Sequence, residues 1–397
     1  MPPIALNRRR FLSCSAAAGL ALSQGRVAES ADSIPVRLGV VGLGTRGTSL
    51  IRSLLDLPGV EIVAVCDPEP KHRLRAQGII EKASSRRPEP LEHVDSLIGR
   101  PEVDAVVVAV PCDHHADLAS RVIRASKHLY TEKPLALTLA ECDRLIDESR
   151  KTPDVVVHVG FQRRSNPRFI EGVERIQRGE LGSLLEGTAT WVSSNGPMNG
   201  HADWLSRRER SGDWMVEQAV HVWDVFQWIV GAPPIRAFGS GRRGLFTRQQ
   251  PHRDVTDHYS VQLEWADGFH VNFLQSWIAP ADDRFTGATL QVMGTEGGLD
   301  FTSGALTFRD KSKPRQILHP GTQLDTRLAL QSFLAAIRSG GTIPPPLSLE
   351  AARDATLTGL LVRKAVDEAR VVTIDEILAD SEQNGSQRLK TGRSESA

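Results

Sequence analysis

The sequence predicts an α/β fold in which an N-terminal, doubly wound parallel sheet is followed by a C-terminal α+β domain with a large, open, mainly antiparallel sheet. Two observations carry this prediction. Between residues 36 and 159, short runs rich in valine and alanine alternate with helical patterns, which is typical of parallel strands buried on both faces. Between residues 258 and 308, strand patterns follow one another without helices, which indicates antiparallel pairing.

The elements follow in a regular order. In the first half, strands are predicted over 36–41, 60–65, 103–110, 128–131 and 155–159, and helices over 48–57, 69–82, 116–126 and 139–151. In the second half, helices are predicted over 166–178, 215–230, 326–339 and 349–369, and strands over 184–192, 258–264, 270–275, 289–293 and 306–308. The change of pattern after Gly160 marks a domain boundary.

The first strand leads into a glycine-rich turn, Gly42-x-Gly44-x-x-Gly47, before a helix begins. The first glycine permits the turn, the second lets a pyrophosphate approach the backbone, and the third lets helix and strand pack closely. Asp67 ends the second strand about 20 residues further on, where the ribose-binding acid of this fingerprint lies. These features predict a Rossmann domain, and the carboxylate favours NAD because it repels a 2′-phosphate. The basic residues 71–73 leave NADP as the alternative.

The N-terminus has the pattern of an export signal. Residues 7–12 read NRRRFL, a twin-arginine pattern, and a short, weakly apolar run follows over 13–23. A small-x-small cleavage site ends at Ser30. We therefore expect a Tat signal over 1–30, export machinery as a partner, and a periplasmic or secreted protein after cleavage near Ser30. The run is too short to cross a bilayer, so no membrane span is expected.

Composition narrows the partners further. Lys+Arg and Asp+Glu both count 48 among 397 residues, so no net charge attracts the chain to nucleic acid. We assign 31–160 to the NAD(P)-binding domain and 161–380 to a substrate and oligomerisation domain, whose closing helices over 326–369 can pack back on the first. The polar residues 381–397 are predicted to be disordered. After removal of Cys14 three cysteines remain, and none has metal-type spacing.

Three further places can carry chemistry. Lys133 follows a short strand, and a lysine at the carboxyl end of a parallel strand can stabilise a developing alkoxide, although a surface turn is the plainer interpretation. Glu217 and His221 are four apart on a predicted helix, so they share a face and can form a general base; a buried core histidine is the alternative. His115 lies beside His114 in a loop at the same sheet edge, poor spacing for a metal, so it can line a nicotinamide or cap a helix.

Together these elements resemble the Gfo/Idh/MocA family, the glucose–fructose oxidoreductase and inositol dehydrogenase group. The matching motifs are the glycine turn, Asp67, Pro111 with His115, Ser126-Lys127-His128 leading to Glu132-Lys133-Pro134, Gly160-Phe161-Gln162-Arg163-Arg164, and the Glu217–His221 segment. They follow in family order over about residues 35–370. Glu217 stands where the family has aspartate, and Ser126 where it has glycine.

The resemblance implies the site residues by position. The implied catalytic residues are Lys133, His221 and Glu217. The implied cofactor-binding residues are Gly42, Leu43, Gly44, Thr45, Arg46, Gly47, Asp67, Pro111, His115, Glu132, Lys133 and Gln162. Candidate substrate contacts are Arg164, Asn195, His201, Trp204, Trp277 and Arg284, and no metal is expected.

The resemblance also implies an NAD(P)-dependent oxidoreductase that transfers hydride between a nicotinamide and a hydroxyl carbon of a sugar, polyol or glycoside, and a homo-oligomer. Because NAD is scarce outside the cytoplasm, export predicts a tightly bound cofactor that is regenerated within each cycle. The alternative is an NAD-dependent glycoside hydrolase or lyase that acts through a transient keto-sugar. A non-catalytic sugar or nucleotide sensor ranks lower, because both Lys133 and His221 are retained.

Overall fold

A computed structural model describes residues 34–197, 203–320 and 325–391. Its first sheet has six parallel strands in the order β3-β2-β1-β4-β5-β6. The strands are β1 Val36–Val41, β2 Val60–Cys66, β3 Glu89–Leu91, β4 Ala105–Val108, β5 His128–Thr131 and β6 Val157–Val159, and the helices α1 Thr45–Leu55, α2 Pro70–Ser84, α3 Val94–Ile98, α4 His115–Arg124 and α5 Leu139–Lys151. This strand order reverses between β1 and β4, which opens a crevice at the carboxyl ends of the strands.

The second domain contains a nine-stranded sheet in the order β14-β13-β12-β11-β7-β10-β9-β8-β15. Only β7 and β10 pair in parallel among its described strands. The strands are β7 Leu184–Val192, β8 Arg236–Arg242, β9 His258–Glu264, β10 His270–Ser276, β11 Gly287–Gly294, β12 Gly297–Asp300, β13 Ala305–Phe308, β14 Gln316–Ile317 and β15 Val372–Thr373. The helices are α6 Pro167–Gln177, α7 Arg208–Ser211, α8 Trp214–Glu217, α9 Val220–Val230, α10 Asp325–Arg338, α11 Leu349–Glu368 and α12 Ile374–Thr391. The predicted fold class is confirmed in both halves.

Two buried clusters hold the molecule together. One fills the second domain and part of the first, and it includes Trp223 and Phe226 of α9 against the inner face of the sheet. The other lies under α1 and contains Leu38 and Leu50 together with Phe333 from α10. Because α10 adds its apolar side to the first domain, the two domains share a core, which holds them together on either side of the crevice.

The sequence prediction and the structure differ at the 215–230 helix. It is two helices, α8 and α9, separated by Gln218 and Ala219. The N–H of His221 donates to Gln218 O at 3.2 Å, a tighter turn than an α-helix makes. The sequence pattern is helical on both sides of this turn, so periodicity alone does not reveal the break. The strand β8 and the short elements β3, α3, α7, β12, β14 and β15 also went unpredicted.

The chain's polar end also departs from expectation. Residues from Ser381 were expected to be disordered, but α12 continues through them to Thr391. The helix is anchored upstream, where Ile377 is buried and Lys364 pairs with Asp380. Glutamate, glutamine, lysine and arginine are good helix formers, so the helix continues once it has begun.

The described residues contain neither a candidate membrane-spanning helix nor a candidate metal-binding cluster. None of the helices within 34–197, 203–320 and 325–391 combines the length and apolar character that a membrane span requires. The same residues contain no group of three or more histidines, cysteines or carboxylates arranged to hold a metal ion. The predicted export signal, residues 1–30, lies outside the part of the chain that the structure describes.

Candidate active site

The glycine turn has room for a phosphate group. A Cβ on Gly44 would meet no atom within 4 Å, so its backbone is open to a ligand. Gly42 has φ +82° and Gly47 packs so closely that a Cβ would lie 1.8 Å from Gly42 O. Gly44 caps α1 without a side-chain hydrogen bond, which leaves the first N–H groups of the helix for an anion. The turn therefore fits a dinucleotide pyrophosphate.

Asp67 holds the turn in place from the end of β2. Its carboxylate accepts the N–H of Leu43 at 2.7 Å and of Glu69 at 2.9 Å, and it lies 3.2 Å from His72 Nδ1. These contacts use much of the capacity that the sequence assigned to a ribose. Asp67 is thus a structural support of the turn as well as a candidate ribose ligand.

Arg46 connects the glycine turn to the turn after β5. Its Nε donates to Glu132 Oε1 at 2.8 Å, and its Nη atoms donate to Thr326 Oγ1 at 3.0 Å and Gln162 Oε1 at 3.4 Å. Glu132 is only 5% exposed, so this charged pair is largely protected from solvent. Arg46, Glu132 and Gln162 were all expected to contact the cofactor, and the structure shows Arg46 hydrogen-bonded to the other two.

Lys133 lies in the crevice and contacts Glu217. Its ammonium donates to both the backbone oxygen and Oε1 of Glu217, each at 2.6 Å. Burial is the largest single influence and lowers the pKa of this lysine, but the charge and hydrogen bond of Glu217, with smaller contributions from Cys112 and Glu132, together outweigh it, so the net pKa is raised. Lys133 therefore stays charged and can act as a hydrogen-bond donor to a substrate oxygen.

His221 lies at the start of α9 between two aromatic rings. Its ring centroid is 5.9 Å from that of Phe161 and 6.2 Å from that of Trp191. Burial, reinforced by the positive charges of Lys133 and Arg163, holds the pKa of His221 well below its usual value. The imidazole is therefore neutral at physiological pH and available as a base. No described residue hydrogen-bonds to its ring nitrogens, so neither nitrogen is committed to a partner within the described chain.

The helix break changes the predicted partnership of Glu217 and His221. The two were expected on one helix face, but Glu217 ends α8 and turns its carboxylate to Lys133, while His221 begins the next helix. Asp224, three residues after His221 on α9, pairs with Arg164, whose Nη2 lies 2.7 Å from its Oδ1. The site therefore holds a Lys–Glu pair beside an unpaired histidine.

His115 has a positioning role between two loops. One ring nitrogen lies 2.7 Å from Pro134 O and the other 3.0 Å from Val110 O. The ring is 1% exposed, and burial lowers its pKa although both carbonyls oppose this. Since both nitrogens contact the backbone, His115 fixes the turn that carries Lys133. Pro111, next to this loop, begins the short helical turn Cys112–His114.

The candidate substrate contacts are scattered. Arg164 is held by Asp224 and lies over the Trp228 ring at 4.4 Å. Trp277 is 4% exposed and packs on Trp214 at 4.7 Å, so it belongs to the core. Arg284 is exposed and bound to Asp282. Asn195 is exposed, Trp204 is half-buried, and His201 lies outside the described residues.

Sequence reasoning gave no role to three residues around the site. Each of them contacts one of the candidate catalytic residues. Arg163 donates to His221 O at 3.2 Å, and the Trp191 ring stacks on the His221 ring. Asp213 O accepts the N–H of Glu217 at 2.8 Å. Arg163 had a signal, since it stands in the Gly-Phe-Gln-Arg-Arg motif. Asp213 and Trp191 had none, because their roles depend on contacts between distant segments.

A dinucleotide turn facing a charged lysine and a neutral histidine across one crevice defines a nicotinamide-dependent oxidoreductase. Comparison with known proteins agrees. Residues 36–161 match an oxidoreductase family with an NAD-binding Rossmann fold, and residues 170–300 match the GFO/IDH/MocA C-terminal domain. The chain belongs to the Gfo/Idh/MocA family, as its motifs indicated.

Individual relatives are distant. The chain is 27% identical over 355 residues to the myo-inositol 2-dehydrogenase of Thermotoga maritima, which covers 86% of this chain and 100% of that protein. It is 29% identical over 217 residues to a glycosyl hydrolase family 109 protein of Shewanella pealeana, 47% of this chain and 46% of that one. The structure of scyllo-inositol dehydrogenase from Lactobacillus casei with NAD(H) and scyllo-inositol shares the fold, with a TM-score of 0.70 at 16% identity, covering 86% and 99% of the two chains.

Proposed function

We propose that this protein transfers hydride between a nicotinamide and a hydroxyl carbon of a sugar, polyol or glycoside. The observation that carries the proposal is the pair at the crevice: a neutral imidazole with open ring nitrogens and a charged ammonium held by Glu217. A base and a positive charge are what oxidation of an alcohol requires, because the hydroxyl loses its proton as the carbon loses hydride.

Each residue then has a defined task. His221 takes the proton from the substrate hydroxyl, and Lys133 stabilises the oxygen as negative charge develops on it. Glu217 keeps Lys133 charged and aimed into the crevice. Bound NAD, or NADP, would supply the hydride acceptor, which is the chemistry of the cofactor itself.

The first experiment is mass spectrometry of the nucleotide released from denatured, purified protein, followed by a screen of inositols, hexoses and glycosides for nicotinamide reduction. A His221→Asn variant should keep its nucleotide and lose turnover, whereas an exposed control, His93→Asn, should keep both. Full activity in His221→Asn would contradict the assignment.

A redox-neutral reaction on glycosides is the second candidate. The similarity to glycosyl hydrolase family 109 proteins favours it, as does the export signal, since an exported enzyme cannot easily exchange NADH. In that reaction a hydroxyl is oxidised, the glycosidic bond is cleaved, and the ketone is reduced again on the same cofactor. Release of the aglycone without net nicotinamide reduction would identify it.

The remaining expectations form part of the same proposal. Export through the Tat route to the periplasm or medium, and a tightly held cofactor, are supported by the twin-arginine pattern. A homo-oligomer is supported by the outer face of the nine-stranded sheet, where Phe238, Leu274 and Met293 are exposed on strands β8, β10 and β11. A protein that bound neither nucleotide would instead be a sensor.

A further inference from the structure

Two adjacent arginines at the start of the second domain have different environments. Arg164 is neutralised by Asp224, which accepts its Nε and Nη2. Arg163 has no carboxylate of the described residues within ion-pair distance, and its Nη1 donates to the backbone oxygen of His221 at 3.2 Å. The Arg164 guanidinium therefore has an ion-pair partner, whereas the neighbouring Arg163 guanidinium has none among the described residues.

The Arg163 guanidinium is held in a fixed orientation. It lies 5.4 Å from the Phe169 ring centroid and 5.6 Å from that of Trp191, so aromatic rings flank it. Burial lowers the pKa of Arg163 to about 10, which reflects the loss of water around the charge. A desolvated cation that has N–H groups left over after its one backbone contact is stabilised by an anion that enters beside it.

Arg163 lines a cavity of about 450 Å³ that can hold such an anion. Arg168 and Asp325 also line it, so two guanidinium groups and one carboxylate leave one net positive charge. Arg168 donates to the backbone oxygens of His319 and Phe301, so it contributes charge rather than free donors.

The lining of the cavity also contains polar groups. Asp325 accepts the Asn166 amide at 2.7 Å, and the residues Thr289 and Thr302 complete that part of the lining. These groups can exchange hydrogen bonds with ligand hydroxyls. The cavity therefore combines one uncompensated cation with several partners for a polyhydroxylated molecule.

The cavity lies next to the candidate catalytic base. The Trp191 ring contacts both groups: it stacks on the His221 ring at 6.2 Å, and the Arg163 guanidinium lies 5.6 Å from its centroid. We propose that this cavity is an anion subsite in which Arg163 binds the carboxylate of a sugar acid, such as a uronate, whose hydroxyl carbon reaches His221. A single carboxylate matches the single net charge and the planar fork of the guanidinium, whereas a phosphate dianion exceeds that charge.

The inference rests on the proposed function, and the test separates the two. For wild type, Arg163→Gln and the exposed control Arg248→Gln, kcat/KM is measured on glucose and glucuronate and on galactose and galacturonate. Wild type and the control should prefer the uronate by about 10- to 100-fold, the worth of a charge-assisted pair, and Arg163→Gln should lose that preference. The ratio isolates the carboxylate contact, because any disturbance of His221 affects both substrates.

Binding gives a second, independent readout. Calorimetry on the purified protein with its nucleotide should give tighter binding of glucuronate than of glucose, and Arg163→Lys should retain part of the difference if Arg163→Gln does not fold. A preference for the neutral sugar, an unchanged preference in Arg163→Gln, or tighter binding of glucose 6-phosphate than of glucuronate would overturn the subsite. Uronate binding that depends on Arg163 without hydride transfer to any sugar would leave the subsite standing and refute the proposed function.

Discussion

At position 213, a glycine variant should be more stable than an alanine variant, which is the reverse of the usual order. Asp213 precedes α8 with φ +73° and ψ +165°, a region that glycine occupies almost alone, and its side chain is fully buried. We expect Asp213→Gly to be more stable than Asp213→Ala, although alanine is the better residue at most positions.

The size of the difference follows from what the two variants share. Both lose the carboxylate that accepts Arg208 Nη2 at 2.7 Å, the Trp214 N–H at 2.7 Å and the Tyr259 hydroxyl, so these losses cancel. Alanine keeps the backbone strain, which costs about 1–3 kcal/mol. Glycine in turn lowers the free energy of unfolding by about 0.4–1 kcal/mol, because its unfolded chain is more flexible. The glycine variant should therefore be more stable by about 0.5–2 kcal/mol.

The assay is urea unfolding of both variants beside a matched pair at Asp56. Asp56 is exposed and has φ −84° and ψ −4°, where alanine has no strain, so Asp56→Ala should be at least as stable as Asp56→Gly. An Asp213→Gly variant that is no more stable than Asp213→Ala would refute the argument from strain.

Activity should follow the same order. Asp213 O accepts the N–H of Glu217 at 2.8 Å and of Val216 at 3.0 Å, so this backbone conformation places the helix that carries Glu217. Glycine can keep that conformation and alanine strains it. The Lys133–Glu217 contact should therefore survive better in Asp213→Gly, which a smaller loss of kcat/KM would report.

Three further outcomes are expected. Lys133→Met should lower kcat by about 10²–10³-fold without loss of nucleotide, as the removal of a donor to a developing oxyanion does, whereas exposed Lys71→Met should leave kcat unchanged, both measured by steady-state kinetics. Asp224→Ala should destabilise the fold by about 3–5 kcal/mol in urea unfolding, because a buried guanidinium loses its partner, while Asp282→Ala in an exposed pair should leave the midpoint unchanged. Burial lowers the pKa of His158 to about 4, so between about pH 6.5 and 4 the unfolded chain binds a proton that the folded chain does not. The free energy of unfolding should therefore fall by about 3 kcal/mol as the pH is lowered across that window. In urea unfolding at several pH values, His158→Phe should remove this part of the slope.

The parts of the fold that depend on local patterns were predictable. Strands β1, β5, β7 and β9 begin and end where alternation or apolar runs begin and end. The glycine turn was predictable for the same reason, since a strand, three glycines and a helix lie within a dozen residues of one another. Lys133 followed from its position directly after a strand, because the carboxyl ends of parallel strands share one edge.

Partnerships between distant segments could not be predicted. Nothing local distinguishes Arg164, which is neutralised by Asp224, from Arg163, which is not. Trp277 has the residue type of a sugar-stacking platform, yet its packing on Trp214 makes it core. Ser126 illustrates the opposite case: it adopts φ +56°, a conformation that glycine adopts without strain, which accounts for the glycine that the family resemblance implies at this position.

The glycine turn and Lys133 are connected through Glu132, so the positions of the cofactor-binding turn and of this lysine depend on each other. Glu132 holds Arg46 of the glycine turn, and Gly160 packs so closely that a Cβ would lie 3.0 Å from Glu132 Oε1. Lys133 is the next residue after Glu132, so its position depends on the same buried contact. The nucleotide-binding turn and the candidate catalytic lysine are therefore connected through one ion pair, in which the Glu132 carboxylate is buried and the Arg46 side chain is 34% exposed, and movement of either would break that pair.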